Sequence, residues 1–146
     1  MGDAPVWISA ACAVVAAAAT VVTAIIAYNA LNAWRVQKAT ESIVLWITSV
    51  VDYSTGIKFL PGTIDYKNNR GDVEAAAKLM YECIKRWKAA QLYARLDEKM
   101  HANFISTYEK LWVDLVVEHH TGYINGKKTR KETFDCAVRL YNTEMK

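Results

Sequence analysis

Basic residues are absent from the first 34 residues of this 146-residue chain, and the only acidic residue there is Asp3. A secretory signal peptide needs a basic start and an apolar stretch of only about 7–15 residues. Here the run from Ala4 to Trp34 has no ionisable side chain except the phenol of Tyr28. It is roughly twice as long as a signal peptide allows. The sequence therefore predicts an uncleaved membrane anchor.

Residues that break helices are also scarce, with 6 glycines and 2 prolines in the whole chain. Pro5 suits the start of a helix, and neither glycine nor proline follows it before Gly56. No segment shows sustained strand alternation. We expect an all-α protein in which one helix runs from about Pro5 to Thr55. Residues 1–34 form a single transmembrane helix, which continues into a cytoplasmic bundle of about four helices formed by residues 35–146.

Cysteine is limited to three widely spaced residues, Cys12, Cys83 and Cys136. An odd number with such spacing is not a disulfide framework. Cys12 lies in the apolar run, so only Cys83 and Cys136 are left to pair in the bundle. We expect reduced, buried thiols in a reducing compartment.

Tryptophans mark both ends of the apolar run. As a helix, the run places Trp7 and Trp34 roughly 40 Å apart, close to the thickness of a bilayer with its headgroups. Amphipathic aromatics are the expected anchors at the two membrane interfaces, and basic residues favour the cytoplasmic side. Because Arg35 and Lys38 follow the run, we expect an outside N-terminus, a cytoplasmic C-terminal domain and the lipid bilayer as a partner.

One face of the apolar helix carries small residues. At 100° per residue this face comprises Ser9, Ala13, Ala16, Thr20, Thr23 and Ala27. Small residues let helix backbones approach closely, and threonine can hydrogen-bond across the contact. The pattern predicts packing against other helices, in a homo-oligomer or a larger membrane complex. The alternative interpretation is that this face lines an oligomeric pore.

Turn and capping residues divide the remainder of the chain. Gly56 to Gly71 is predicted to be an apolar-rich loop, which covers the bundle or meets a partner or the headgroups. Asp72 is predicted to cap the second helix, and Asp97 the third, which ends at Gly122. A helix continuing through Leu96 is the alternative. Thr129–Glu132 reads as a capping box for a fourth helix.

Periodicity predicts the buried face of each of these helices. The continuation of the first helix uses Val36, Ala39, Ile43, Ile47 and Val50. The second uses Val73, Ala76, Met80, Ile84 or Cys83, Trp87, Ala90 and Ala94. The third uses Met100, Phe104, Tyr108, Leu111, Leu115 and Val116, and the fourth uses Phe134, Ala137, Val138 and Tyr141.

Charge is concentrated after Trp34, where all 18 basic and 14 of the 15 acidic residues lie. The resulting net charge of +4 is too small for a nucleic-acid-binding tail and fits a domain near an anionic membrane. The densest basic cluster is Lys127, Lys128, Arg130 and Lys131. It is either a solvated loop or a contact for phosphates of lipid or RNA.

Several catalytic motifs are absent, including a glycine-rich phosphate loop, a CxxC pair, HExxH and a serine nucleophile elbow. Glu118-His119-His120 contains two adjacent histidines, which point about 100° apart on a helix. We interpret them as surface groups favoured by the helix dipole, and we expect no metal and no cofactor.

The segment Arg95-Leu96-Asp97-Glu98-Lys99-Met100-His101 resembles the R-x4-6-H motif of HEPN-type ribonucleases, which are helical-bundle proteins that dimerise to join two motifs. Leu96 stands where the motif usually has a polar residue. The resemblance implies that Arg95 holds an RNA phosphate while His101 moves protons during attack by the 2′-OH. The layout, a membrane helix followed by a helical domain, is also similar to small CRISPR-associated membrane accessory proteins.

These patterns favour a non-enzymatic function. The leading hypothesis is a single-pass protein that acts by self-association or as a component of a membrane assembly. The first alternative is an oligomeric pore or accessory protein of antiviral defence with a degenerate HEPN-like domain. The second is a membrane-tethered HEPN-like ribonuclease, which requires RNA as a partner.

Overall fold

The computed structural model describes residues 4–145, with side chains from Val6 onwards, and it confirms the all-α prediction. The helices are α1 (Ala4–Ile57), α2 (Arg70–Ala94), α3 (Glu98–Val113), a π-helical segment (Asp114–His120), α4 (Thr121–Ile124) and α5 (Arg130–Tyr141). Because α3, the π segment and α4 follow one another directly, the described residues form four helical stretches. Across residues 4–145 no strand occurs, and the one isolated antiparallel bridge joins Asp65 to Asn125.

Helix α1 is a single helix of 54 residues, as the scarcity of glycine and proline predicts. It begins at Ala4 and ends at Ile57, two residues beyond the expected end at Thr55. Tertiary contacts divide the chain into two compact units, with Arg35 the last residue of the first and Val36 the first of the second. The outer limits of the predicted domains, at residues 1 and 146, lie outside the described residues.

The first unit contains the apolar part of α1. From Val6 onwards α1 is long and apolar enough to cross a membrane by length and composition, and none of the side chains in its most apolar window is buried. Val14, Val21 and Ile25 are more than half exposed, which is unusual for aliphatic side chains of a protein core.

The second unit buries one stripe of the remainder of α1. This stripe repeats at intervals of three and four residues and comprises Ala39, Ile43, Trp46, Val50, Tyr53 and Ile57. The sequence prediction was right for Ala39, Ile43 and Val50. It included Val36, which is 40% exposed, and missed Trp46 and Tyr53, which are fully buried. Ile47 lies four residues after Ile43 and falls beside the stripe, whereas Trp46 lies three residues after Ile43 and stays on it.

Trp46 is the centre of an aromatic cluster that joins α1 to α2 and α3. Its ring centroid lies 4.7 Å from that of Trp87 on α2. On α3 it lies 5.5 Å from Phe104, 5.3 Å from Tyr108 and 5.6 Å from Trp112. Three of these pairs are edge-to-face and the Trp87 pair is tilted, which suits the ring quadrupoles. Trp112 was missing from the sequence prediction because its neighbour Leu111 fits the same periodicity.

Helices α1 and α2 run antiparallel, and three contacts fix their register. Near the end of α1, Gly56 approaches Leu79 so closely that an added Cβ would meet the Leu79 Cδ1 atom at 2.5 Å. The Cys83 thiol donates a hydrogen bond to the Ser49 carbonyl at 3.0 Å. Further back along α1, Trp46 packs on Trp87. Later residues of α2 therefore lie beside earlier residues of α1.

Two of the predicted helix starts are confirmed. The Asp97 carboxylate accepts a hydrogen bond from the Met100 amide at 2.8 Å and caps α3. Thr129 and Glu132 form the expected capping box of α5. The alternative of a helix continuing through Leu96 is wrong, since α2 ends at Ala94.

Two other expected helix limits are wrong. Asp72 lies inside the first turn of α2, which begins at Arg70 after Asn69. Gly122 does not end the third helix, because it is buried within α4, and the helical stretch continues to Ile124. Gly126, with a φ of 71°, lies in the left-handed turn beyond it. In both cases the helix begins or ends at a different residue of the same turn from the one that the sequence predicts.

The loop between α1 and α2 covers part of the second unit but also exposes large side chains. Ile64 is buried in a small cluster with Val73, Ala76 and Tyr123, and the Tyr123 hydroxyl donates to the Pro61 carbonyl at 2.6 Å. Phe59 and Tyr66 are 86% and 61% exposed. The prediction that this apolar loop covers the helices therefore holds for Ile64 and not for Phe59.

The buried face of α5 differs from the predicted one. Its fully buried residues are Thr133, Cys136, Ala137 and Leu140. Phe134, Val138 and Tyr141 are only partly buried. Thr133 is tolerated inside because its hydroxyl lies 3.1 Å from the Thr129 carbonyl and 3.3 Å from the His119 carbonyl. Because this buried residue is polar, the hydrophobic periodicity of the sequence does not identify the buried face of α5.

Because Trp46 contacts both α2 and α3, Trp46→Ala is expected to lower the free energy of unfolding by about 3–5 kcal/mol. The matched control is Tyr81→Ala on α2, because Tyr81 is 63% exposed and its loss should change that free energy by less than about 0.5 kcal/mol. Urea titration of the full chain in detergent, followed by circular dichroism, measures both. Equal losses for the two variants would contradict the central position of Trp46.

Candidate functional site

The π segment is the main irregularity of the described helices. An α-helix places residues five apart on sides that differ by roughly 140°, whereas the wider turn of π-type i→i+5 bonding brings them closer to the same side. Asp114 and His119 are five apart, and their Oδ2 and Nε2 atoms lie 3.7 Å from each other. Single π-helical turns occur frequently at functional sites. No pattern in the sequence identifies this segment, which begins and ends with ordinary helical residues.

Asp114 is the centre of a small polar cluster between the π segment and α5. The Cys136 thiol lies 3.7 Å from its Oδ2 atom, and the Arg139 guanidinium donates to the same atom at 3.3 Å. The candidate ligand atoms of Asp114, His119 and Cys136 all lie within 4.8 Å of one another. Carboxylate, imidazole and thiolate are all ligands of zinc.

The charges in this cluster argue for an ion-pair network rather than a metal site. Arg139 already places a cation against Asp114. Burial raises the pKa of the Cys136 thiol, which keeps it protonated, whereas a metal ligand is a thiolate. His119 Nδ1 is buried without a hydrogen-bond partner in the described part of the chain, although ligating histidines usually hold a second-shell partner. Arg139, Cys136 and His119 thus surround Asp114 with potential donors.

His120 is buried, so the interpretation of both histidines as surface groups is wrong. Only 6% of His120 is exposed, and His119 is partly buried. The Nδ1 atom of His120 lies 2.9 Å from the Tyr53 hydroxyl, and the two rings meet edge to face. The longer turn of the π segment carries His120 towards α1. Burial lowers the pKa of His120 to about 4 and raises the pKa of Tyr53, so both groups are neutral near pH 7.

Arg95 and His101 lie at the two ends of the turn between α2 and α3. Arg95 is exposed directly after α2, and His101 is partly buried in the first turn of α3. Within residues 4–145 no hydrogen bond joins their side chains, and the amide of His101 bonds to the Asp97 carbonyl at 2.9 Å. A single copy of the chain therefore leaves the two side chains separate.

The four-residue basic cluster divides into residues with structural partners and residues that face solvent. The Arg130 guanidinium donates to the carbonyls of Lys58 at 2.9 Å and Leu60 at 2.6 Å. Lys128 is partly buried and lies 3.7 Å from Glu132. Lys127 and Lys131 are exposed. An anion would therefore meet Lys127 and Lys131 more readily than Arg130.

The small-residue face and the interface residues are uncovered in this single chain. The six residues Ser9, Ala13, Ala16, Thr20, Thr23 and Ala27 are all exposed. Thr20 and Thr23 each donate a hydrogen bond of 2.8 Å to the carbonyl four residues earlier. Trp7 and Trp34 are 64% and 48% exposed, while Arg35 and Lys38 are partly buried. Lys38 also pairs with Glu41 at 2.9 Å.

A cleft of about 290 Å³ lies between α1 and α2, beside Tyr53. Its lining includes Leu45, Ser49, Asp52, Leu79, Glu82 and Arg86. This volume is at the lower limit for small-molecule sites, which are typically about 300–1,000 Å³. The cleft therefore offers little room for a substrate.

Comparisons with known proteins give no family for this chain. It matches no protein-family model, no curated protein and no solved structure.

Because His120 is buried as the neutral form, the protein should lose stability in acid. In the unfolded state His120 has the ordinary histidine pKa of 6.5, whereas in the folded state its pKa is about 4. Between these two pH values the unfolded state binds a proton that the folded state does not bind. Stability is therefore full above the unfolded pKa and falls as the pH drops from 6.5 towards 4. We expect a loss of about 2 kcal/mol in the free energy of unfolding between pH 7.5 and pH 5 from this residue.

The control for this pH effect is the double variant Tyr53→Phe, His120→Leu, which removes the titrating group and its partner together. Urea titrations of both proteins at pH 7.5 and pH 5 separate His120 from the carboxylates, which titrate in both. An equal loss of stability in the two proteins would exclude His120 as the source.

Arg130 is expected to stabilise the fold, whereas its neighbour Lys131 is not. Arg130→Ala leaves the carbonyls of Lys58 and Leu60 without their charged donor, and we expect a loss of about 2 kcal/mol in the free energy of unfolding. Lys131→Ala, its matched control at an exposed position, should stay within about 0.5 kcal/mol of the unchanged protein. Thermal and urea unfolding measure both. Similar values for the two variants would contradict this division of the basic cluster.

Proposed function

We propose that this protein is a single-pass membrane protein whose cytoplasmic helical bundle acts by self-association or as a component of a membrane assembly. The observation that carries the proposal is the first unit, in which every described side chain from Val6 to Leu31 is exposed. Soluble monomers rarely expose an apolar surface of this extent. Lipid or other transmembrane helices would cover it.

The ends of the apolar segment support a span across the bilayer. Trp7 and Trp34 are exposed at the two ends, where their indoles suit the membrane interfaces. The basic residues Arg35 and Lys38 follow directly. On the rule that basic residues stay on the cytoplasmic side, the N-terminus is outside and the second unit is cytoplasmic.

Self-association is supported by the small-residue face. The hydroxyls of Thr20 and Thr23 are bonded to the carbonyls of their own helix, which satisfies their donors in lipid. Contact through this face then rests on close packing of alanine and backbone rather than on hydrogen bonds between helices. Ala13 and Ala16 are the positions where a larger side chain would most directly separate two helices.

The pore and ribonuclease hypotheses stay predictions. A pore requires Ser9, Thr20 and Thr23 to face water, and their exposure in a single helix is equally compatible with lipid or protein contact. A ribonuclease requires Arg95 and His101 to meet those of a second copy. No observation in residues 4–145 favours either function over the assembly proposal.

The proposal predicts an oligomer that depends on the small-residue face. We expect the full chain in mild detergent to be larger than a monomer by light scattering, and Ala13→Leu, Ala16→Leu to shift it towards the monomer. The matched control is Val14→Leu, Val21→Leu on the bulkier side, which should leave the mass unchanged. A monomeric unchanged protein, or equal effects of both double variants, would count against self-association through this face.

The membrane span is tested separately, in bacterial cells that express the full chain. The protein should stay in the membrane pellet after alkaline carbonate extraction. In intact spheroplasts a C-terminal tag should resist external protease, and it should become sensitive after lysis. Extraction by carbonate would overturn the span, and digestion before lysis would reverse the proposed orientation.

A further inference from the structure

The corner between α2 and α3, which we define as residues 92–99, lies at one end of the second unit. The antiparallel register of α1 and α2 determines which end. Cys83 bonds to Ser49, and Trp87 packs on Trp46. As the residue number rises along α2, it falls along α1. Extending this register places Ala94, the end of α2, beside Lys38 and Ala39.

An electrostatic contact supports this extension of the register. The pKa of Lys38 is raised mainly by its hydrogen bond to Glu41 and by the charge of Glu41, and to a smaller extent by Tyr93. Tyr93 therefore lies within electrostatic range of Lys38. Lys38 is only three residues beyond Arg35, where the proposed membrane span ends. This end of the second unit is therefore the one that the chain joins directly to the proposed span.

The corner exposes large apolar side chains that have no cover within the described residues. Leu92, Tyr93 and Leu96 are 63%, 39% and 41% exposed. Leu92 lies in the last turn of α2, and Leu96 lies in the turn just beyond the helix end at Ala94. Tyrosine is enriched where one end of a side chain is in an apolar layer and the other is in water. The residue types of these three side chains are those expected at a membrane interface.

The charged residues of the corner also suit a headgroup layer. Arg95 and Lys99 are exposed beside the apolar residues. Of the two acidic residues, Asp97 is occupied in capping α3, and Glu98 is exposed. Lys38 adds a further basic residue at this end of the second unit. Basic residues near a membrane surface are attracted to anionic lipids.

We propose that the corner rests on the cytoplasmic leaflet, with Leu92, Tyr93 and Leu96 at the level of the headgroups and Arg95 and Lys99 against lipid phosphates. This inference rests on the proposed membrane span. It gives Arg95 a role in lipid binding that does not require RNA. The second unit is then held at the bilayer at two places, the part of α1 that directly follows the span and this corner, which restricts its rotation over the membrane.

The opposite end of the second unit supplies a matched control. Phe59 follows the end of α1 at Ile57 and is 86% exposed, more than Leu92, Tyr93 or Leu96. It lies about 20 residues beyond Lys38 along the chain, or roughly 30 Å along the helix. If exposure alone decided lipid contact, Phe59 would contact lipid at least as well as Leu96. If lipid contact depends instead on distance from the membrane surface, Leu96 will contact lipid and Phe59 will not.

The experiment is lipid photo-crosslinking of the full chain in nanodiscs. A photo-reactive phenylalanine analogue replaces Leu96, Phe59 or Ile25 in three separate proteins, and mass spectrometry measures lipid adducts. Ile25 lies in the middle of the proposed span and reports the span itself. We expect abundant adducts at Ile25, and at Leu96 at least fivefold more adducts than at Phe59. Replacing part of the phosphatidylcholine by phosphatidylglycerol should raise the Leu96 yield, and Arg95→Glu should reduce that gain.

Each outcome decides between the two proposals. Adducts at Ile25 with no excess at Leu96 over Phe59 would overturn the corner contact and leave the span in place. Crosslinks from Leu96 to protein instead of lipid would also overturn it, by showing that another chain covers the corner. Absence of lipid adducts at Ile25 would overturn the span and the corner contact together.

Discussion

The packing of Trp46 between two helices is the interaction on which the second unit depends. One side chain of α1 contacts Trp87 on α2 and three aromatic rings on α3. The indole Nε1 atom of Trp46 has no hydrogen-bond partner in the described part of the chain. Trp46 therefore stabilises the fold through the shape and apolar area of its ring, and the buried unpaired N–H reduces that stabilisation. The packing of α3 against α1 and α2 centres on this ring.

Local signals in the sequence were sufficient for the helices and for two of their starts. Asp97 and Thr129 cap helices through hydrogen bonds to residues three positions later, so their chemistry is visible in a short segment. The long α1 was predictable because glycine and proline, which would interrupt it, are absent over its central part. The same local reasoning failed at Asp72, where the polar turn offered several starts within a few residues.

Features that depend on distant parts of the chain were not predictable in this way. Tyr53 and His120 are 67 residues apart, and the sequence around each of them contains no signal that the two side chains form a buried pair. Arg130 looked like one of four equivalent basic residues until the carbonyls of Lys58 and Leu60 were placed beside it. Membrane contact of the corner likewise depends on the register between α1 and α2 and not on the sequence of the corner alone.

The π segment has a consequence for how this sequence tolerates insertion and deletion. A π turn contains one more residue than the α turn it replaces, so loss of a single residue there would restore an ordinary helix. Every later residue of the stretch would then turn by about 100° relative to α3. Tyr123, which is fully buried and bonds to the Pro61 carbonyl, would leave its place against the loop. Deletion of an exposed residue of this segment, such as Val117, would therefore be as disruptive as the loss of a core side chain, although it removes no core residue.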